Sequence, residues 1–153
     1  MASILFVCHG NICRSPAAEM ILRQLAGEAG FPLLTASAAT SREELGNGLY
    51  PPMRQALLRA GVQISAHTAR QVSAVDYQRY SLIIGMDEEN MWNLRRLFHG
   101  DPEGKLHLLM EWCGEVQEVD DPWYTRDFDR AVEEITLGCR ALLGALQRGE
   151  GGG

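Results

Sequence analysis

Ile4-Leu5-Phe6-Val7-Cys8-His9-Gly10-Asn11-Ile12-Cys13-Arg14-Ser15-Pro16 is the stretch that decides the architecture. Its first four residues are a short apolar run, the pattern of a strand buried on both faces, and we read the strand over 3–7. Pro16 suits the first turn of a helix, because the N–H it lacks has no intrahelical partner there. Ala18, Ile21, Leu22 and Leu25 then recur on one helical face, and Gly30 supplies a stop, so the helix is read over 16–28. Strand, tight polar turn and helix together begin a βαβ unit.

The pattern repeats along the chain. A second strand is read over 33–38, followed by a turn-rich stretch over 40–52. A helix over 53–60 is closed by Gly61, and Leu82-Ile83-Ile84 forms a third buried strand within 80–85. Asp87 caps a helix that runs to residue 98 before Gly100. Residues 106–110 make a fourth strand, and 119–125 read as a loop around Pro122. Residues 128–147 form a long amphipathic helix with Ala131, Ile135, Leu142 and Leu146 on its inner face. Strands alternating with helices predict an α/β fold with a parallel sheet and right-handed crossovers. Ligands of such sheets sit beyond the carboxyl ends of the strands. Cys8 falls at such an end, where the loops around Ser37, Asp87 and Asp121 can join it.

Length and composition set the outer bounds. The chain has 153 residues, 46% hydrophobic and 22% charged, which predicts one domain over 1–148 and a flexible glycine-rich tail over 149–153. The formal net charge of −6 argues against general nucleic-acid or anionic-membrane binding. No apolar run reaches the roughly 20 residues that span a bilayer. Cys8, Cys13, Cys113 and Cys139 are too few and too scattered for a disulfide scaffold, so a reducing cytoplasm is the expected setting. Cys113 and Cys139 read as buried thiols, and His99 and His107 as surface or core residues.

The loop between strand and helix carries the chemistry. A free thiol ionises near pH ~8.5, and the thiolate is the nucleophile. Arg14, the positive end of the following helix and inward-turned backbone N–H groups would each favour that anion. The same groups suit a phosphoryl oxyanion, with Arg14 offering a bidentate fork. Gly10 permits close backbone approach and a positive φ, Asn11 tolerates the left-handed region, and the Ser15 hydroxyl can donate to the sulfur. The alternative for Cys8 alone is a small buried hydrophobe, but a buried arginine beside it needs a partner. A metal site at Cys8 and Cys13 is disfavoured by their spacing.

From Val7 to Glu19 the sequence resembles the signature of the low-molecular-weight protein tyrosine phosphatases. The likeness continues through Ser37-Ala38-Ala39-Thr40-Ser41 with Gly46, through Gly61-Val62, His67 and Ala69-Arg70-Gln71, through Met86-Asp87-Glu88-Glu89-Asn90, and through Asp121-Pro122-Trp123-Tyr124. It covers residues 4–146. The resemblance implies a three-layer, Rossmann-like fold whose four-stranded parallel sheet is flanked by helices. It implies hydrolysis of phosphate monoesters with no metal and no cofactor. Cys8 would be the nucleophile, Arg14 the phosphate binder and Asp121 the general acid. Asn11, Ser15, Ser37 and His67 would form a hydrogen-bond network that holds the loop.

In this mechanism Cys8 attacks phosphorus, Asp121 protonates the leaving oxygen, and water then releases phosphate with Asp121 as base. Asp120 and the bound dianion would favour the protonated acid, giving a mildly acidic optimum. Asp120 competes for the acid role, and the family's placement of the acid directly before proline favours Asp121. His9, Gly10, Asn11, Ile12, Cys13 and Ser15 would surround the substrate. Trp123 and Tyr124 either wall a slot for an aromatic ring or pack the loop onto the body. Cys13 either closes a redox disulfide with Cys8 or simply packs. His9 and Glu43 depart from the family pattern and would rim the mouth, and Ile12 stands where phosphoarginine-active relatives tend to carry Thr. The expected partners are phosphotyrosine proteins, in bacteria including tyrosine kinases of polysaccharide export. Two rivals remain: an arsenate reductase, which needs relay cysteines that 77–101 lacks, and a non-catalytic phosphate-binding module.

Overall fold

The computed structural model describes residues 1–114 and 118–149. Strand β1 (Ala2–Cys8) is apolar throughout its length from Ile4 to Val7 and is buried on both sides. Helix α1 (Arg14–Ala29) follows, then β2 (Leu33–Ala39), α2 (Pro51–Arg59), a single turn α3 (Asp76–Arg79) and β3 (Leu82–Gly85). Helix α4 (Glu88–Leu97), β4 (Leu106–Leu108), a 3₁₀ segment Leu109–Cys113, the short helix α5 (Pro122–Thr125) and α6 (Phe128–Gln147) complete the chain. The four strands pair in parallel in the order β2-β1-β3-β4.

The two-residue period of β1 divides the core. Ile4, Phe6 and Cys8 face one side with buried residues of α1, α2 and α6, while Leu5 and Val7 face the other with Met91, Leu94 and Phe98. Truncating a fully buried side chain such as Phe6 to Ala would cost about 3–5 kcal/mol. On the α6 side Ala131, Ile135, Leu142 and Leu146 are all buried, as the amphipathic pattern predicts. Gly85 lets α4 approach the sheet, since a Cβ there would lie 3.0 Å from Met91 Sδ and 3.2 Å from Asn90 Cβ.

Four sequence expectations change, the first being that α2 begins at Pro51, two residues early, with both prolines in its first turn where N–H groups have no helical partner. The fourth strand ends at Leu108, because Leu109–Cys113 tightens into a 3₁₀ segment under α6. The loop expected over 119–125 contains α5, with Pro122 at its first position and Asp121 as its N-cap. Helix α1 begins two residues before Pro16, which sits within the first turn where N–H groups lack partners anyway. The turn α3 has no counterpart in the sequence reading, since four residues carry no helical period. Cys139 is buried as expected, whereas Cys113 is half-buried. Gly149 takes φ 81°, and the remainder of the expected tail, 150–153, lies outside the described residues. No helix among the described residues is long and apolar enough to cross a membrane.

Candidate active site

The strand order changes direction at β1: the chain moves from β1 to β2 on one side and later to β3 on the other. A crevice at the carboxyl ends follows from this topology. Cys8 ends β1, Arg14 opens α1, and Asp87 follows β3, so three separate elements converge there.

The Cys8 sulfur lies 3.0 Å from Ser15 Oγ and accepts the Ser15 backbone N–H at 3.4 Å. Asn11 determines which atom of the first pair donates. The Arg70 backbone N–H must meet the carbonyl oxygen of the Asn11 amide, at 3.1 Å, which turns Asn11 Nδ2 toward Ser15. Asn11 Nδ2 donates to Ser15 Oγ at 2.9 Å, leaving the hydroxyl proton for Cys8. A chain of donors thus ends on the sulfur, where it stabilises negative charge.

The loop's shape depends on Asn11. It takes φ 59°, is fully buried, and its carbonyl oxygen lies 2.5 Å from His67 Nε2. The left-handed residue is therefore Asn11 and not Gly10. Gly10 meets a different constraint, because a Cβ would lie 3.3 Å from Glu44 Cγ. Segment 69–72 is itself fixed to the end of β2: Ala39 N–H donates to Arg70 O at 2.7 Å and Val72 N–H to Ala39 O at 2.8 Å. The Arg70 guanidinium grips the buried Asp76 carboxylate through two hydrogen bonds, 3.1 and 3.2 Å long. Burial opposes the charge on Arg70, but the bonds and attraction to Asp76 outweigh it and raise its pKa. The turn α3 thereby anchors the residue that orients Asn11.

Arg14 is 2% exposed. Its Nη1 donates to Asp87 Oδ2 at 2.8 Å and to Val119 O at 2.9 Å, and its Nη2 lies 3.5 Å from Asp121 Oδ2. Burial works against the charge, yet the sulfur of Cys8 and the carboxylates of Asp87 and Asp121 outweigh it and raise the Arg14 pKa. Asp87 is also the N-cap of α4, accepting Asn90 N–H at 2.9 Å, so one carboxylate fixes both helix and guanidinium. The sequence reading identified the cap but missed the ion pair. Only a charged residue at the switch point hinted at it.

Asp121 accepts Trp123 N–H on Oδ1 at 3.0 Å, which aims Oδ2 into the site. Asp120 is exposed, and its backbone binds Glu134 on α6. A cavity of about 330 Å³ brings together Cys8, His9, Gly10, Ile12, Cys13, Arg14, Glu43, Asp121, Trp123 and Tyr124, with Glu44 added. Trp123 does two things: it faces the cavity and packs on Tyr50, with ring centroids 5.0 Å apart. Tyr50 N–H in turn donates to Ile12 O at 2.9 Å, tying this wall to the loop. Tyr124 is 83% exposed and stands free at the rim. Cys13 is a buried free thiol whose pKa is raised, chiefly by burial and then by Cys8 and Asp121.

Ser37 departs from the expected network. Its hydroxyl donates to Glu19 Oε1 at 2.6 Å, so it braces α1 against β2 instead of bonding the loop. Ser37 pairs in register with Phe6 and is buried on the α1 side of the sheet, a placement that one-dimensional reading does not fix.

Residues 3–150 match the family described as low molecular weight phosphotyrosine protein phosphatase. The chain is 36% identical to the low molecular weight protein-tyrosine-phosphatase YfkJ of Bacillus subtilis, covering 97% of both chains. It is 35% identical to the low molecular weight phosphotyrosine protein phosphatase of Homo sapiens, covering 92% of this chain and 93% of that one. The crystal structure of YfkJ superposes with a TM-score of 0.94, at 35% identity and over 97% of this chain and 96% of the other. With the thiol loop, the parallel sheet and these likenesses in agreement, the chain belongs to the low molecular weight phosphotyrosine protein phosphatase family.

Proposed function

We propose that residues 1–148 act as a single phosphatase domain that hydrolyses phosphotyrosine in proteins through a cysteinyl-phosphate intermediate. One observation carries the assignment of roles: the Cys8 sulfur accepts a backbone N–H and faces a hydroxyl beside the buried Arg14, with Asp121 on the same cavity. The Cys8 thiolate attacks phosphorus in line and the aryl oxygen leaves with a proton from Asp121 Oδ2. Water then attacks the phosphocysteine, Asp121 takes its proton, and the sulfur leaves as a thiolate stabilised by the Ser15 hydroxyl. Arg14 neutralises the phosphoryl oxygens, and its fixed Nη1 contacts spare the reorganisation that a free guanidinium would need.

Trp123 supplies the apolar wall that suits a tyrosyl ring, and Ile12 favours phosphate esters over phosphoarginine. Among expected substrates in a bacterial cytoplasm are tyrosine kinases of polysaccharide export. Cys13 serves as the partner thiol under peroxide: the Cys8 thiolate is oxidised to sulfenic acid, the peroxide is reduced to water, and condensation with Cys13 releases a second water. The assignment is tested by phosphate release from para-nitrophenyl phosphate, which Cys8→Ser should abolish. Tight phosphate binding without turnover by the unaltered protein would point to a binding module, and thiol-dependent arsenate reduction to a reductase.

A further inference from the structure

At the floor of the cavity the buried Arg14 is already paired with Asp87 and Asp121, and the mouth adds further carboxylates. His9 Nε2 lies 3.0 Å from Glu43 Oε2, and His9 Nδ1 lies 3.9 Å from Glu89 Oε1. The imidazole therefore stands between two carboxylates that come from different elements, the loop after β2 and the first turn of α4. Glu43 and Glu89 are 70% and 72% exposed in their side chains; Glu43 lines the cavity, and Glu89 adjoins it through His9, which also lines it. Glu44 lines the same cavity and spends one oxygen on Asn47 Nδ2, at 2.6 Å. Even a protonated His9 would offset only one of these three carboxylates. Arg42 precedes them on the loop but does not line the cavity. On the opposite wall the Arg126 guanidinium is turned onto the rings of Tyr50, Trp123 and Phe128, 5.3 to 5.9 Å from their centroids.

From this geometry we infer that the His9–Glu43–Glu89 rim is a specificity-determining element that selects phosphotyrosine flanked by Lys or Arg and rejects phosphotyrosine flanked by Asp or Glu. The inference rests on the phosphatase reading and adds the substrate class. The phosphate is held by Arg14 and the loop whatever surrounds it, so the discrimination falls on the neighbouring side chains. A flanking cation meets Glu43 or Glu89 in the open mouth, where attraction is modest and salt-sensitive. The His9–Glu43 contact holds the Glu43 carboxylate in place, so that it need not be ordered when the peptide arrives.

The test compares three phosphotyrosine peptides that differ only in the two residues flanking phosphotyrosine: Lys, Ala or Glu. We expect kcat/KM to fall in that order, with about a fivefold to tenfold span from Lys to Glu at low salt and a smaller span at 0.5 M NaCl. Glu43→Lys with Glu89→Lys should reverse the order, and Glu43→Gln with Glu89→Gln should compress it. These positions are exposed, and retained helical circular dichroism checks that each variant is folded. Equal kcat/KM for the three peptides, with para-nitrophenyl phosphate hydrolysed normally, would overturn the inference and leave the phosphatase reading intact. A span that the charge reversal does not alter would overturn it as well. Failure to turn over any phosphate ester would overturn the phosphatase reading and this inference with it.

Discussion

Replacing Asn11 separates two effects that the loop combines. The side chain accepts the Arg70 N–H and donates to Ser15, and the backbone sits at φ 59°. Asn11→Gly removes the side-chain bonds but keeps the left-handed conformation freely available. The Arg70 N–H, in a part-buried bond to a fully buried residue, then loses its acceptor at a cost of about 1–3 kcal/mol, and losing the donor to Ser15 adds about 1 kcal/mol. Asn11→Ala suffers the same losses and must also hold an L side chain in the left-handed region, about 1–2 kcal/mol. The greater unfolded-state freedom of glycine offsets ~0.4–1 kcal/mol of that difference. We therefore expect destabilisation of about 2–4 kcal/mol for Gly and somewhat more for Ala. Urea unfolding, followed by tryptophan fluorescence, measures both. At the same time kcat should fall in both variants, because the Ser15 hydroxyl loses the donor that orients it. An alanine variant clearly more stable than the glycine variant would refute the backbone argument, and a loss under 0.5 kcal/mol in both would refute the hydrogen-bond chain.

Asp121→Ala should slow phenyl phosphate by about 10²–10⁴-fold and para-nitrophenyl phosphate much less, since nitrophenolate leaves without a proton; the same pattern in Asp120→Ala would reassign the acid. Ser15→Ala removes the donor to the departing sulfur, so breakdown of the phosphocysteine should slow about 10–100-fold and a pre-steady-state burst of nitrophenol should appear; kcat within twofold and no burst would contradict that role. Burial tends to raise the Asp101 pKa, but bonds from Tyr77 Oη at 2.6 Å and from the Leu106 and Lys105 N–H groups lower it overall. A carboxylate with a lowered folded pKa stabilises fully above its unfolded value of ~3.9 and loses that contribution as pH falls through the folded value. Asp101→Asn should thus flatten the decline in stability below pH ~4, measured by urea midpoints between pH 2 and 6; an unchanged slope would exclude Asp101 as a source of acid sensitivity.

Periodicity and local chemistry were enough to place most of the architecture. The apolar runs at 4–7 and 82–84, the stripe of α6 and the cap at Asp87 are short-range signals, because burial and capping depend on residues a few positions apart. The thiol loop was legible for the same reason: Cys8, Arg14 and Ser15 lie within one turn. The sequence therefore determined the fold class and the place of the thiol loop between the first strand and the first helix. Only the tertiary structure decided which distant groups complete it. Arg70 N–H reaches Asn11 across 59 positions, Asp87 reaches Arg14 across 73, and Asp121 reaches it across 107. Ser37 meets Glu19 across 18 positions because β2 pairs beside β1 with that residue on the α1 side. Local pattern fixes elements, because it is set by backbone geometry, whereas the order of strands and the meeting of loops are set by packing among elements far apart in the chain.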